Sequence, residues 1–223
     1  MNFKDKELII FDFDGTLINS IPDLTLAINK MLSHYNLLPL TVEQVTPFIG
    51  NGAKPLVKRA LKYSMQNQDI SKELLDEAFD IYFSAYKEVT CAETYMYPGV
   101  LETLNYLDKE GYRMVICTNK PFGFIEPILD KLSIKKFFKC WIGEDSLAKK
   151  KPNAAPLFYL ANEMNIVIEN CIMVGDSKND ILAAQNSGME SIGVSYGYNY
   201  NENISDYNPT ILVDSFSSLQ KLF

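Results

Sequence analysis

Histidine is nearly absent from this chain, and that absence narrows the chemistry first. The only one, His34, falls in a predicted helix with apolar positions Leu24, Ile28, Met31, Leu32 and Tyr35, which puts it at a surface or boundary and sets a histidine general base aside. Cysteine is sparse too. Cys91, Cys117, Cys140 and Cys171 form no Cys-x-x-Cys pair, and the last three lie in apolar runs, so they read as buried free thiols rather than a zinc cluster or disulfide framework. No segment supplies the clustered basic face that a nucleic-acid surface needs. With 21 Lys and Arg against 28 Asp and Glu the net charge is -7, which argues against a nucleic-acid surface and obliges an anionic substrate to find positive charge locally. No apolar run is long enough to cross a bilayer, and the short one near the N-terminus is broken by Asp12, so neither signal peptide nor membrane span is expected and the cytoplasm is the expected location. Repeats, low-complexity tracts and flexible linkers are missing as well.

What is present is enough for a packed core: 223 residues, 47% hydrophobic, implying one domain with a sizeable insertion, or two. The organising stretch is Ile9-Ile10-Phe11-Asp12-Phe13-Asp14-Gly15-Thr16-Leu17. Its apolar run suits a buried parallel strand, yet it carries two carboxylates into its end. Side chains alternate along a strand, so Asp12 and Asp14 would share a face, close enough to perturb each other or to hold a divalent cation. An edge strand running into a solvated Asp-Gly turn is the plainer alternative from these residues alone.

Beyond it, Ser20 is a candidate cap for a helix opening with Pro22 and Asp23, and Thr41-Val42-Glu43-Gln44 matches a capping box. Phe48-Ile49-Gly50-Asn51-Gly52-Ala53 reads as a turn, followed by helices through Leu56, Val57, Ala60 and Leu61 and from about Ser71 to Glu88. From Leu17 to Cys91 the pattern is therefore helix upon helix, with no strand expected. After Pro98-Gly99 it changes to strand and helix in turn: Arg113 to Cys117, a helix near Phe122 to Leu132, Cys140 to Ile142, a helix near Pro156 to Asn165, Ile172 to Val174, a helix from Asp180 to Ser187, Ser191 to Val194, and Ile211 to Val213 before a short last helix. That alternation predicts an α/β fold, a Rossmann-like doubly wound parallel sheet covered on both faces, with a small all-helical cap inserted after the first strand. The expected division is residues 1–16 and 92–223 for the core and 17–91 for the cap.

Ligands of an open parallel sheet bind beyond the carboxyl ends of its strands. Three clusters fall there: Asp12 and Asp14; Thr118-Asn119-Lys120 after Val115-Ile116-Cys117; and Gly175-Asp176-Ser177-Lys178-Asn179-Asp180 after Ile172-Met173-Val174. Asp176 or Thr118 taken alone would read as a helix cap; three clusters at one edge read as an active site. Several carboxylates around one point repel one another unless a hard cation sits among them, and oxygen ligands without histidine suit Mg2+. Such a site with a lysine and hydroxyl donors suits phosphoryl transfer, where positioning and charge neutralisation dominate.

FDFDGTL resembles the first signature of the haloacid dehalogenase-like phosphohydrolases. The resemblance implies that Asp12 is a nucleophile attacking phosphorus, and that Asp14 is the acid and then base for the leaving oxygen and water, its backbone carbonyl joining the metal. The dehalogenase branch lacks the second acid, so Asp14 favours phosphate esters. Thr118 and Asn119 resemble the second motif, whose hydroxyl and amide donors hold phosphoryl oxygens. Lys149-Lys150-Lys151 would ordinarily be a solvated patch, but the Lys151-Pro152 step before a helix resembles the third motif and singles out Lys151 as the charge-offsetting lysine. Asp176 resembles the fourth-motif metal ligand, with Asp180 acting on the metal directly, through water, or by orienting Lys151.

Bacterial phosphoglycolate phosphatases in particular are resembled at Phe48 to Ala53, Thr118-Asn119-Lys120-Pro121, Gly175-Asp176-Ser177 and Tyr196 to Tyr200, with Phe48 where that family is associated with tryptophan. This implies a Mg2+-dependent phosphatase releasing glycolate from 2-phosphoglycolate, a small anionic ester, with no nucleic-acid or membrane partner, as a monomer or homodimer. The turn Gly50-Asn51-Gly52, with Lys54 beside it, either contacts the substrate's leaving group or serves only as a hinge. Another small ester or pyrophosphate, or a sugar-phosphate mutase reaction, remains an alternative on the same core. A non-catalytic scaffold would have no reason to keep Asp12, Asp14 and Lys151.

Overall fold

A computed structural model describes residues 2–223. In chain order the regular elements are β1 (Leu8–Phe11), β2 (Ile18–Asn19), α1 (Ile21–His34), α2 (Val42–Val45), α3 (Ala53–Ser64), α4 (Lys72–Val89), β3 (Tyr95–Met96), α5 (Val100–Lys109) and β4 (Arg113–Cys117). The chain continues through α6 (Ile125–Lys131), β5 (Phe138–Ile142), α7 (Ala155–Glu163), β6 (Cys171–Gly175), α8 (Lys178–Ser187), β7 (Glu190–Val194) and β8 (Ile211–Val213). Six strands form one parallel sheet in the order β5-β4-β1-β6-β7-β8, so β1 is central and pairs with β4 on one side and β6 on the other.

The sheet's two faces follow the period of two in its sequence. Ile9, Phe11, Met114, Ile116, Ile172 and Val174 point to one side, where Leu104, Leu107, Ile128, Leu129 and Phe216 cover them. Leu8, Ile10, Val115, Cys117, Cys171 and Met173 point to the other, against Leu157, Leu160, Ala183 and Ala184. Both faces are thus dry, which explains near-continuous apolar strands that would be costly if one face met water. The expected doubly wound α/β architecture is the one found.

Helices α1, α3 and α4 pack around a separate apolar cluster that includes Ile28, Met31, Leu61 and Tyr82. Thr41 makes the expected capping box: Gln44 N–H donates to Thr41 Oγ1 at 3.4 Å, and Thr41 N–H to Gln44 Oε1 at 2.8 Å. The all-helical expectation for 17–91 needs correction at its edge. Ile18 and Asn19 pair antiparallel with Met96 and Tyr95, making a two-stranded ribbon where the chain enters and leaves the helical segment. Strands of two residues carry no readable periodicity. Three other details differ. Helix α8 starts at Lys178 rather than Asp180, because Ser177 caps it through Asp180. The stretch expected as a helix near Phe122 begins as a 3-10 turn over Phe122–Phe124. Cys140 is only half-buried, whereas Cys91, Cys117 and Cys171 are buried free thiols.

Candidate active site

The carboxyl ends of β1, β4 and β6 meet at one point. Asp12 extends the ladder by one residue, its N–H donating to Val174 O at 2.8 Å, and this fixes where its carboxylate stands. Gly15, with φ +90°, then turns the chain so closely over β6 that a Cβ there would lie 2.3 Å from Asp176 Oδ2. Thr16 Oγ1 donates to Asp176 Oδ1 at 2.9 Å and Tyr198 N–H to Asp176 Oδ2 at 2.7 Å, so this carboxylate is aimed by partners on both sides. Lys151, buried, lies 2.9 Å from Asp12 Oδ1 and 2.5 Å from Asp180 Oδ1. The other Asp180 oxygen accepts from Ser177 N–H at 3.0 Å and Ser177 Oγ at 2.8 Å, so Asp180 spends its oxygens on holding the lysine and capping α8.

Carboxylate oxygens of Asp12, Asp176 and Asp180 lie within 4.8 Å of one another. Three buried acids facing a single ammonium leave an uncompensated excess of negative charge. Burial, and then Asp180, raise the Asp12 carboxyl from 3.8 to about 7 against the pull of Lys151. Burial raises Asp176 well above its ordinary value, and Asp12 and Asp180 push the same way. For Lys151 burial works against the charge, yet Asp12 and Asp180 more than offset it and the net direction is up. Asp12 Oδ1 is also buried without a well-aligned hydrogen bond, despite the nearby lysine. All-oxygen donors, excess buried charge and an under-partnered oxygen fit a hard divalent cation such as Mg2+.

This electrostatic frustration has a testable sign. Between pH 3.8 and about 7 the native state keeps a proton on Asp12 that the unfolded chain has lost, so without metal this group's contribution to stability declines as pH rises through that window. A cation competes with that proton. Mg2+ at roughly 100 times its Kd should therefore raise Tm by about 5–10 °C at pH 8, equivalent to about 2.7 kcal/mol, and by distinctly less at pH 5.5. Equal shifts at both pH values, read by differential scanning fluorimetry, would place the ion elsewhere.

Asp14 is not part of the cluster. Its side chain turns toward the helical segment, where Lys120 Nζ lies 3.0 and 3.1 Å from its two oxygens and Ser20 Oγ donates at 2.5 Å. This corrects the expected capping role of Ser20: it stands at the start of α1, but its hydroxyl serves Asp14, while its N–H donates to Tyr198 Oη at 3.0 Å. Thr118 Oγ1 accepts the Lys120 N–H at 3.1 Å, which leaves the hydroxyl hydrogen for a ligand. Asn119 stands at the cavity beside Thr118. Both contacts of its Nδ2 are backbone carbonyls, Gly50 O and Lys151 O, each at 3.0 Å.

A cavity of about 50 Å³ separates these groups from the helical segment, lined by Asp12, Asp14, Thr118 and Lys120 below and by Leu24, Leu56, Tyr82 and Tyr86 above. Gly50 and Gly52 form part of its wall. Asn51 does not: its carbonyl accepts from Lys150 at 2.8 Å and its side chain from Arg59 at 2.6 Å. The turn is clasped to the sheet edge by Asn119 and Asn179 on Gly50 O, and by Glu144 on Ala53 N–H at 3.1 Å. Glycine is needed at 52, where φ is +97° and a Cβ would fall 1.8 Å from Glu144 Oε2. Lys54 points away from the cavity and pairs with Asp76 at the surface. His34 is at the surface, as expected.

Sequence reasoning placed Lys120 in the second strand-end cluster without giving it a role, and missed Thr16, the part Ser20 plays at Asp14, and the tyrosines of α4. Lys120 had a usable signal, standing directly after Thr118-Asn119 at the same strand end. Tyr82 and Tyr86 sit four residues apart on the apolar face of α4 and are indistinguishable from core residues by pattern.

A family model for haloacid dehalogenase-like hydrolases matches residues 9–194. A phosphoglycolate phosphatase of Colwellia psychrerythraea strain 34H is 43% identical over 220 residues, covering 98% of this chain and 97% of the relative. One from Psychrobacter arcticus is 42% identical, covering 96% and 94%. A crystal structure from Haemophilus somnus 129PT, described as a predicted phosphoglycolate phosphatase, shares 36% identity over 97% of each chain with a TM-score of 0.93. The chain therefore belongs to the haloacid dehalogenase-like hydrolase family, alongside these phosphoglycolate phosphatase relatives, and is an enzyme.

Proposed function

We propose that this enzyme is a Mg2+-dependent phosphoglycolate phosphatase, converting 2-phosphoglycolate to glycolate and phosphate through a phosphorylated Asp12. The observation that carries the chemistry is the meeting of Asp12, Lys151, Asp180 and Asp176 at the sheet edge, with Asp14 one residue beyond Phe13 and turned to the opposite side of the cavity. The substrate rests on the names of the relatives.

Asp12, Asp176 and the Asp14 backbone carbonyl would hold the ion, with Asp180 beside them. Bound there, Mg2+ would draw charge from the phosphoryl oxygens and offset the carboxylates. Lys151, fixed by Asp180, neutralises the nucleophile and the incoming phosphoryl group, while the Thr118 hydroxyl donates to a phosphoryl oxygen. Asp12 attacks phosphorus; Asp14, steadied by Ser20, delivers a proton to the departing oxygen and later takes one from the water that releases phosphate. Residues 17–91 act as a cap over a core of residues 1–16 and 92–223, and closure excludes bulk water from the intermediate. A small anionic ester as substrate, a cytoplasmic location and a monomeric or homodimeric state complete the reading.

Phosphate release measured with and without Mg2+, across 2-phosphoglycolate, sugar phosphates, nucleotides and pyrophosphate, tests it. The expected result is strict Mg2+ dependence and a preference of several tens-fold or more in kcat/KM for 2-phosphoglycolate. A flat profile or another favourite would remove the substrate assignment.

A further inference from the structure

The cavity has two chemically distinct ends. Asp12 and Thr118 line one, with Lys151 behind Asp12 at 2.9 Å. The other is mostly apolar, walled by Leu24, Ile49, Leu56 and Phe124, yet it contains a buried ammonium, that of Lys120, whose side chain is only 2% exposed. Such a charge is costly to bury unless it is paired. Its protein partners are the Asp14 carboxylate and the Tyr86 hydroxyl, the latter at 2.8 Å. That hydroxyl accepts from Lys120, and its own hydrogen has no acceptor among the described residues. Tyr82, stacked on Tyr86 with ring centroids 5.9 Å apart and planes 7° from parallel, also lines the cavity, and its hydroxyl makes no hydrogen bond among the described residues. Burial pushes both phenols well above their ordinary range, so they remain donors at neutral pH.

Among the described residues no other cation lines the cavity. Lys54 pairs with Asp76, Lys150 with Glu144, and Arg59 binds Phe48 O and Asn51. An ammonium and two phenolic hydroxyls, set beside Leu24, Ile49, Leu56 and Phe124 in a cavity of about 50 Å³ that Asp12, Asp14 and Thr118 also line, offer donors to a compact anion.

We propose that Lys120, with the Tyr86 and Tyr82 hydroxyls, forms a receptor for a carboxylate carried by the substrate's leaving group and is the specificity-determining element of the site. This deepens the phosphatase reading and rests on it. The selecting charge comes from the core strand end rather than from the inserted helices, which contribute donors without charge. A 2-hydroxycarboxylate such as glycolate places its carboxylate one carbon from the ester oxygen. It would therefore reach the Lys120 side of Asp14 while its phosphoryl group lies over Asp12. A neutral leaving group of the same size leaves the three donors without a new acceptor, and a site built on polar donors rejects such an analogue strongly.

The test compares kcat/KM for 2-phosphoglycolate with that for ethyl phosphate, which replaces the carboxylate by a methyl group. The wild-type ratio should exceed about 100. In Lys120→Met the ratio should fall at least 30-fold, and in Tyr86→Phe, which keeps the charge, by a smaller factor of about 3–10. Glycolate should inhibit the wild type competitively and lose that inhibition in Lys120→Met, whereas competitive inhibition by inorganic phosphate should persist. Should Lys120→Met fail to fold by circular dichroism, Lys120→Gln and the double variant Tyr82→Phe/Tyr86→Phe carry the same comparison. A large wild-type ratio that survives in all folded variants would overturn the receptor and leave the phosphoglycolate reading standing. A wild-type ratio near one would overturn both.

Discussion

Asp12→Asn should reduce phosphate release by roughly four orders of magnitude or more while leaving the protein folded and, at pH 8 without metal, at least as stable as the wild type. The first half follows from the mechanism: an amide is too poor a nucleophile to form the acyl phosphate, and no neighbouring group can replace it. Asp176 is turned to Thr16 and Tyr198, and Asp180 to Lys151 and Ser177. The second half follows from charge. Asp12 is one of three buried carboxylates around one ammonium, and burial together with Asp180 disfavours its ionised form. The substitution removes that penalty and leaves Lys151 paired with Asp180. Phosphate release and the melting curve check the two halves separately. Full activity would end the nucleophile assignment, and a collapsed fold would mean that Asp12 has a structural part the geometry does not suggest.

Lys151→Met should have the opposite balance. Removing the ammonium leaves Asp12, Asp176 and Asp180 buried together with no cation, and breaking a buried pair on one side costs about 3–5 kcal/mol. In a chain of this size that is a fall in Tm on the order of 10 °C. Turnover should also fall by roughly 10²–10³, the usual consequence of losing one electrostatic stabiliser of the transition state. Two controls separate stability from chemistry. Mg2+ should restore more stability to this variant than it adds to the wild type, because the ion then faces uncompensated carboxylates. The double variant Lys151→Met/Asp180→Asn should be more stable than Lys151→Met alone, since it removes one of the stranded charges. A Lys151→Met protein as stable as the wild type, measured by urea denaturation, would show that the buried charges are balanced in some other way.

The sheet was legible because burial on both faces forces near-continuous apolar strands, and such runs at Leu8–Phe11, Arg113–Cys117 and Cys171–Gly175 are separated by helical patterns. The acidic residues were legible for a related reason. A carboxylate at the end of an apolar strand is anomalous, so Asp12, Asp14 and Asp176 stood out before any geometry was known. Residues whose roles depend on long-range approach were not legible. Ser20 looked like an ordinary cap, and only the course of the chain brings its hydroxyl to Asp14. Nothing local shows that the Gly50 turn, distant in sequence, arrives to accept from the Asn119 side chain. Lys54 seemed placed to meet the substrate because it follows the turn, yet the first turn of α3 carries it outward to Asp76. Tyr82 and Tyr86 carry the same pattern as a packed helix face, and nothing local distinguishes a phenol that lines a cavity from one that fills a core.

The most direct test of the account is rapid acid quench of a single turnover with labelled 2-phosphoglycolate and Mg2+, followed by mapping the label to a peptide. The expected result is a phosphoryl group, transient and acid-stable long enough to map, on the peptide containing Asp12, absent in Asp12→Asn and prolonged when Asp14 is replaced by Asn. Full turnover with no label on that peptide at any quench time, or label on a different residue, would contradict the central claim that Asp12 takes the phosphoryl group.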